Sequence, residues 1–146
     1  MATSKGQERT NEMVSMLREW QGIERKSMEQ MSDVLEKTQN PFVRIIMEVI
    51  RHDSLMHHRV QQVIIDSLTR ADITLTHEEI AEVWDQIEAH DETEKEVVNI
   101  AKTLHEKAWN PLHKQLLAYL AADEEKHDKL LEELGEVKKD LLRRTQ

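Results

Sequence analysis

Shifting the chain by 70 residues against itself, without a gap, lays Asn40-Pro41 on Asn110-Pro111, Glu24 on Glu94, Asp53 on Asp123 and His57 on His127. A segment that occurs twice must be able to fold twice, so residues 1–70 and 71–140 are read as two copies of one helical hairpin. Nine of the 70 positions are identical in that register: Glu8, Glu12, Glu24, Glu36, Lys37, Asn40, Pro41, Asp53 and His57 with their partners. The signal lies in their placement, at a helix start and on the faces of amphipathic helices.

Three glycines and two prolines in 146 residues, with 34% charged side chains, suit long amphipathic helices better than sheets with their turns. The expected fold class is all-α, a four-helix bundle in a single domain, residues 1–146, of the usual size for one core. A net charge of −9 opposes phosphate-backbone binding, whose favourable component is cationic neutralisation, so nucleic acid is not an expected partner. The absence of cysteine excludes a disulfide framework, a thiol nucleophile and a Cys-x-x-Cys metal site. With no long apolar run and no hydrophobic leader after Met1, no membrane association is expected and the expected location is cytoplasmic.

Four helices can be punctuated from residue pattern. The first is expected from about Glu8 to Lys37, with Met13, Leu17, Trp20, Met28, Met31 and Leu35 stepping by three and four, and Glu24 in that stripe. Asn40 reads as an N-cap with Pro41 at the first helical position, where a missing N–H costs nothing. The second helix then carries Phe42, Ile46, Val49, Asp53, His57, Val60, Ile64 and Leu68, so that a carboxylate and an imidazole one turn apart interrupt an apolar stripe. Thr76-x-x-Glu79 is a capping box opening the third helix, whose stripe passes through Ile87, His90, Glu94 and Val98. Asn110-Pro111 opens the fourth, and Asp123 and His127 again interrupt its stripe of leucines.

Carboxylates on an apolar face need counter-charge, because an unpaired ionised group removed from water costs several kcal/mol. Two divalent cations would offset Glu24, Asp53, Glu94 and Asp123, with His57 and His127 as neutral nitrogen ligands, one imidazole to each metal. An oxygen-rich set of this kind suits iron or manganese better than structural zinc.

One Glu from each of two helices and a carboxylate–His pair from each of the other two resembles the ferritin-like di-metal carboxylate bundles, and among them the rubrerythrin-type branch, over essentially the whole chain. Glu24 with Asp53-Ser-Leu-Met-His57, and Glu94 with Asp123-Glu-Glu-Lys-His127, stand where that family has Glu and Glu-x-x-His, twice. The pairs here are Asp-x-x-x-His. Glu124-x-x-His127 would restore the family spacing in the second copy, but its counterpart is Ser54, so the symmetric Asp frame is preferred and Glu124 is kept as an alternative ligand. The resemblance implies two iron ions, with manganese as the other choice, reacting with peroxide or dioxygen. Since the cysteine-rich electron-donating domain of rubrerythrins is missing, it also implies an external electron donor.

Other residues read as scaffold. His90, whose repeat partner is Trp20, is a core or outer-shell histidine before it is a ligand; Tyr119 is a packed aromatic before it is a redox phenol; Glu48-x-x-x-His52 maps onto Ala118 and Ala122 and is surface. The alternatives to an oxidoreductase are ferritin-like iron storage and a metal-free bundle acting as a structural or interaction module. If helices 2 and 3 were parallel within one chain, a linker of seven residues, Thr69 to Leu75, would reach about 23–25 Å along a helix of roughly 42 Å. An exchanged homodimer, residues 1–70 of one copy against 71–140 of another, resolves that mismatch and is the expected assembly.

Overall fold

The computed structural model describes residues 4–145. The protein is all-α, and among the described residues there are four helices and no strand: α1 (Lys5–Lys37), α2 (Pro41–Thr69), α3 (His77–Lys107) and α4 (Pro111–Thr145). None of these helices is apolar enough over a sufficient length to cross a membrane.

Local chemistry sets the boundaries. α1 begins three residues earlier than the apolar pattern suggested, because the Ser4 hydroxyl accepts the Gln7 N–H at 3.1 Å and so caps the first turn. Asn40 Oδ1 accepts the backbone N–H groups of Phe42 and Val43 at 3.0 and 3.2 Å. Asn110 does the same for Leu112 and His113 at 2.8 and 3.4 Å, so both copies open their second helix with one device. Arg44 ties the first hairpin loop together by donating from Nη1 to the carbonyls of Leu35 and Thr38, satisfying acceptors that the end of α1 leaves open. The capping box is reciprocal: Thr76 Oγ1 accepts the Glu79 N–H at 3.2 Å while Glu79 Oε2 accepts the Thr76 N–H at 2.8 Å.

The chain divides into two compact units, Met1–Ile73 and Thr74–Gln146, a boundary that falls within a few residues of the repeat boundary. In the first, α1 packs along α2; in the second, α3 packs along α4.

Each hairpin closes on a stripe with heptad spacing. In α1 the shielded residues are Val14, Leu17, Gln21, Glu24, Met28, Met31 and Leu35, and in α2 they are Met47, Arg51, Ser54, His58, Gln61, Ile65 and Leu68. The steps alternate between three and four, as in an antiparallel coiled coil. The second copy repeats this in register through Trp84, Ile87, Asp91, Glu94, Val98, Ala101 and His105 against Leu117, Ala121, Glu124, Asp128, Leu131, Gly135 and Lys138. Bulk is exchanged across the seam. Where the first copy has Val14 and Ile65, the second has Trp84 and Gly135, and a Cβ on Gly135 would stand 3.2 Å from the indole.

The stripe expected from the sequence is therefore not the hairpin seam in its entirety. Trp20, Val60, Ile64, Val83, Leu120 and Leu130 lie on a neighbouring stripe and remain exposed. The apolar arc of each helix is wide enough for two stripes, and the one that closes the hairpin is the more polar. Trp20 and Ile23, 52% and 60% exposed, belong to an apolar groove with Met13, Met16 and Leu17.

Candidate metal centre

The polar residues of the α3–α4 seam converge. Ligand atoms from Glu94, Glu124 and His127 lie within 4.8 Å of one another, and among the described residues this is the group with metal-ligand proximity. Glu94 sits at the centre, 6% exposed, because its heptad position points at α4. His90, one turn earlier, places Nε2 2.7 Å from Glu94 Oε1 and fixes the carboxylate from its outer side. Glu94 Oε2 is buried, and no nitrogen or hydroxyl donor reaches it.

His127 reaches the same cluster from the edge of the seam. Its Nδ1 lies 3.7 Å from Glu94 Oε1 and 3.6 Å from Glu124 Oε2, while Nε2 lies 3.4 Å from Asp123 Oδ2. With the proton on Nε2, facing Asp123, the Nδ1 lone pair faces the two glutamates, the arrangement in which an outer carboxylate orients an imidazole ligand. Asp123 is further held by Lys126, whose Nζ is 2.7 Å from Oδ1.

Two acid pairs stack along this seam. A hydrogen bond with the Glu124 carboxyl, helped by His127 and His90, holds Glu94 below the ordinary carboxylate range against the effect of burial; the same bond, together with burial, pushes Glu124 up. Asp91 and Asp128 repeat the pattern one turn along. Asp91 is lowered by its bond to Asp128 and by Lys95, and Asp128 is raised by its bond to Asp91. In each pair one carboxyl is lowered and its neighbour raised, the pattern of two coupled acids. Asp91 Oδ1, Asp128 Oδ1 and Glu94 Oε2 are buried, and apart from the facing carboxyl of each pair no donor reaches them.

The α1–α2 seam is different at the equivalent positions. Glu24, 7% exposed, accepts at Oε1 from Trp20 Nε1 at 3.0 Å and pairs there with His57 Nδ1 at 3.2 Å. Ser54, the counterpart of Glu124, is buried and hydrogen-bonded to the Ser27 hydroxyl at 3.1 Å. Asp53 lies half-buried beside the seam.

Of the six ligands expected from the sequence, Glu94 and His127 are thus brought together, Glu24 and His57 form a pair, and Asp53 and Asp123 flank the two seams. The second copy supplies Glu124 to the cluster where the symmetric frame had Asp123. The reason is periodicity: Glu124 lies on the 3.5-residue step of α4 that faces α3, and Asp123 is one residue, about 100°, around the helix. Asp91 and Asp128 were not singled out by the sequence pattern. The signal that could have found them is their spacing, three residues before Glu94 and four after Glu124.

A divalent cation fits this donor set. It would be met by two carboxylates and an imidazole nitrogen, and it would supply counter-charge to the buried Glu94 carboxylate. Comparison with family models, with curated proteins and with solved structures finds no match to this chain.

Proposed function

We propose that the protein binds a transition-metal ion, iron or manganese, through carboxylate and histidine side chains, and uses it in redox chemistry with peroxide or dioxygen. The observation that carries this reading is the convergence of Glu94, Glu124 and His127, with ligand atoms within 4.8 Å of one another and Glu94 only 6% exposed. Two carboxylates held this close in a seam, one of them buried, repel each other, which is a reason to expect a cation there.

The chain's own residues have separable roles. His90 holds Glu94 Oε1, so the remaining oxygen is presented in one direction. Glu94 and burial push the Glu124 carboxyl up, so a cation arriving there competes with a proton and loading weakens as pH falls. Asp123 orients His127 with Nδ1 toward the cluster. A bound iron or manganese ion would supply the electrons, and with no cysteine or second redox group in the chain they must be replaced by an external donor.

Metal analysis after reconstitution with ferrous or manganous ion tests the reading. Bound metal that is lost in Glu94→Gln supports it; a folded protein that retains neither ion overturns it. Stopped-flow absorbance then separates the chemistries: faster oxidation of the ferrous protein by hydrogen peroxide than by dioxygen is the expected result. Accumulation of many irons per chain would favour storage.

A further inference from the structure

The internal repeat provides a comparison within one molecule, because each residue of the α3–α4 cluster has a counterpart 70 positions earlier. Some features are kept. Glu94 and Glu24 occupy the same buried heptad position, and each receives a nitrogen from the residue one turn before it, His90 Nε2 at 2.7 Å and Trp20 Nε1 at 3.0 Å. Three other positions of the seam have changed chemical class. Where the second copy has Asp91, Glu124 and Asp128, the first has Gln21, Ser54 and His58.

These exchanges alter what each seam requires. The α1–α2 residues hydrogen-bond among themselves: Gln21 Nε2 donates to Gln62 Oε1 at 3.0 Å and to the His58 carbonyl at 3.3 Å, and Arg25 Nη1 lies 3.0 Å from His58 Nε2. Ser54 is bonded to Ser27. Among the described residues of that hairpin, the buried side chain without a partner is the neutral amide of Gln61. Among the described residues of α3–α4, the buried atoms that no nitrogen or hydroxyl donor reaches are all carboxylate oxygens, on Asp91, Glu94 and Asp128. An orphaned amide does not attract a cation strongly, whereas four carboxylates stacked along one seam do.

We infer that metal binding is confined to one copy of the repeat: the α3–α4 hairpin holds one cation per chain at Glu94, Glu124 and His127, and the register-equivalent α1–α2 position is a hydrogen-bonded structural copy. This inference rests on the metal reading above and deepens it. Within α1–α2 a cation would meet one carboxylate and one imidazole, Glu24 and His57, already bonded to each other, and Ser54 offers no third charge. Glu124 therefore distinguishes the binding copy from the silent one. Ser54→Glu should move the silent copy toward binding.

Titration of the metal-stripped full chain with Mn2+, followed by calorimetry and by electron paramagnetic resonance of the free ion, reads the stoichiometry directly. The expected result is one ion per chain, with affinity lowered by more than about tenfold in Glu94→Gln and in Glu124→Gln, since even outer-shell changes cost about 10–100-fold. Glu24→Gln and His57→Ala should leave stoichiometry and affinity unchanged. Circular dichroism confirms that each variant is folded, and the conservative amides keep the comparison available should Ser54→Glu fail to fold. Two equivalent ions per chain, or equal losses from Glu24→Gln and Glu94→Gln, would overturn the inference while leaving the metal reading intact. No binding by the unaltered protein would overturn both.

Discussion

Replacing Glu124 by Gln should stabilise the metal-free protein, although it removes a seam residue from a well-packed hairpin. Glu94 and Glu124 offer oxygens within 4.8 Å of one another, and two unit charges at that distance repel by about 3–4 kcal/mol at an effective dielectric of about 20. The Glu124 side chain is 24% exposed, so water screens part of this, and its raised pKa eases the repulsion further as pH falls. A net gain of about 1–2 kcal/mol remains, since glutamine is nearly isosteric and its amide N–H can donate to Glu94 permanently. For a chain of this size that corresponds to a rise of about 3–8 °C in melting temperature. The assay is thermal unfolding by circular dichroism at near-neutral pH, with chelator and separately with Mn2+. The variant should melt higher than the parent with chelator and gain less from Mn2+, which is the pattern of a site that sacrifices stability for ligand binding. A lower melting temperature with chelator would refute the reasoning, because it would mean that Glu124 is a satisfied structural carboxylate.

Ile65, 1% exposed in the α1–α2 seam, should cost about 2–5 kcal/mol when replaced by Ala, measured as a shift in urea midpoint; a change below about 1 kcal/mol would mean that this seam is not packed. The Asp91–Asp128 pair gives a pH signature. Asp91, lowered in the folded state, contributes stability above its ordinary pKa that is lost as pH falls through the lowered value; Asp128, raised, contributes stability below its ordinary pKa that is lost as pH rises through the raised value. In metal-free protein the contribution of this pair should accordingly be largest between those two values, and relative to the parent Asp128→Asn should remove its decline on the alkaline side while keeping the acidic one, as read from urea midpoints across pH. Finally, exposed Met16, Trp20 and Ile23 form an apolar surface that a second copy is expected to cover. Light scattering should report a mass near twice 17.2 kDa, and Ile23→Lys should shift it toward the monomer; a monomer for the unaltered chain at micromolar concentration would contradict the expected homodimer.

The sequence by itself determined the elements. Asn40-Pro41, Asn110-Pro111 and Thr76-x-x-Glu79 are short-range devices whose hydrogen bonds close within three residues, so their geometry follows from local chemistry and appears in the structure as expected. Glu94, Glu24, His57 and His127 were also legible, as polar residues at helical spacing within apolar surroundings. Which of two adjacent stripes closes each hairpin was decided only by tertiary packing. Leu, Ile and Met spread over a wide arc of every helix, and a 3.6-residue period cannot separate neighbouring stripes about 100° apart. That choice moved Glu124 rather than Asp123 into the cluster with Glu94, and it brought Asp91 and Asp128 together from helices 37 positions apart in the chain. The difference between the copies was present in the letters throughout, as Ser54 against Glu124 and Gln21 against Asp91. It acquired meaning only when packing buried those positions, because a carboxylate in water needs no partner and one in a seam does.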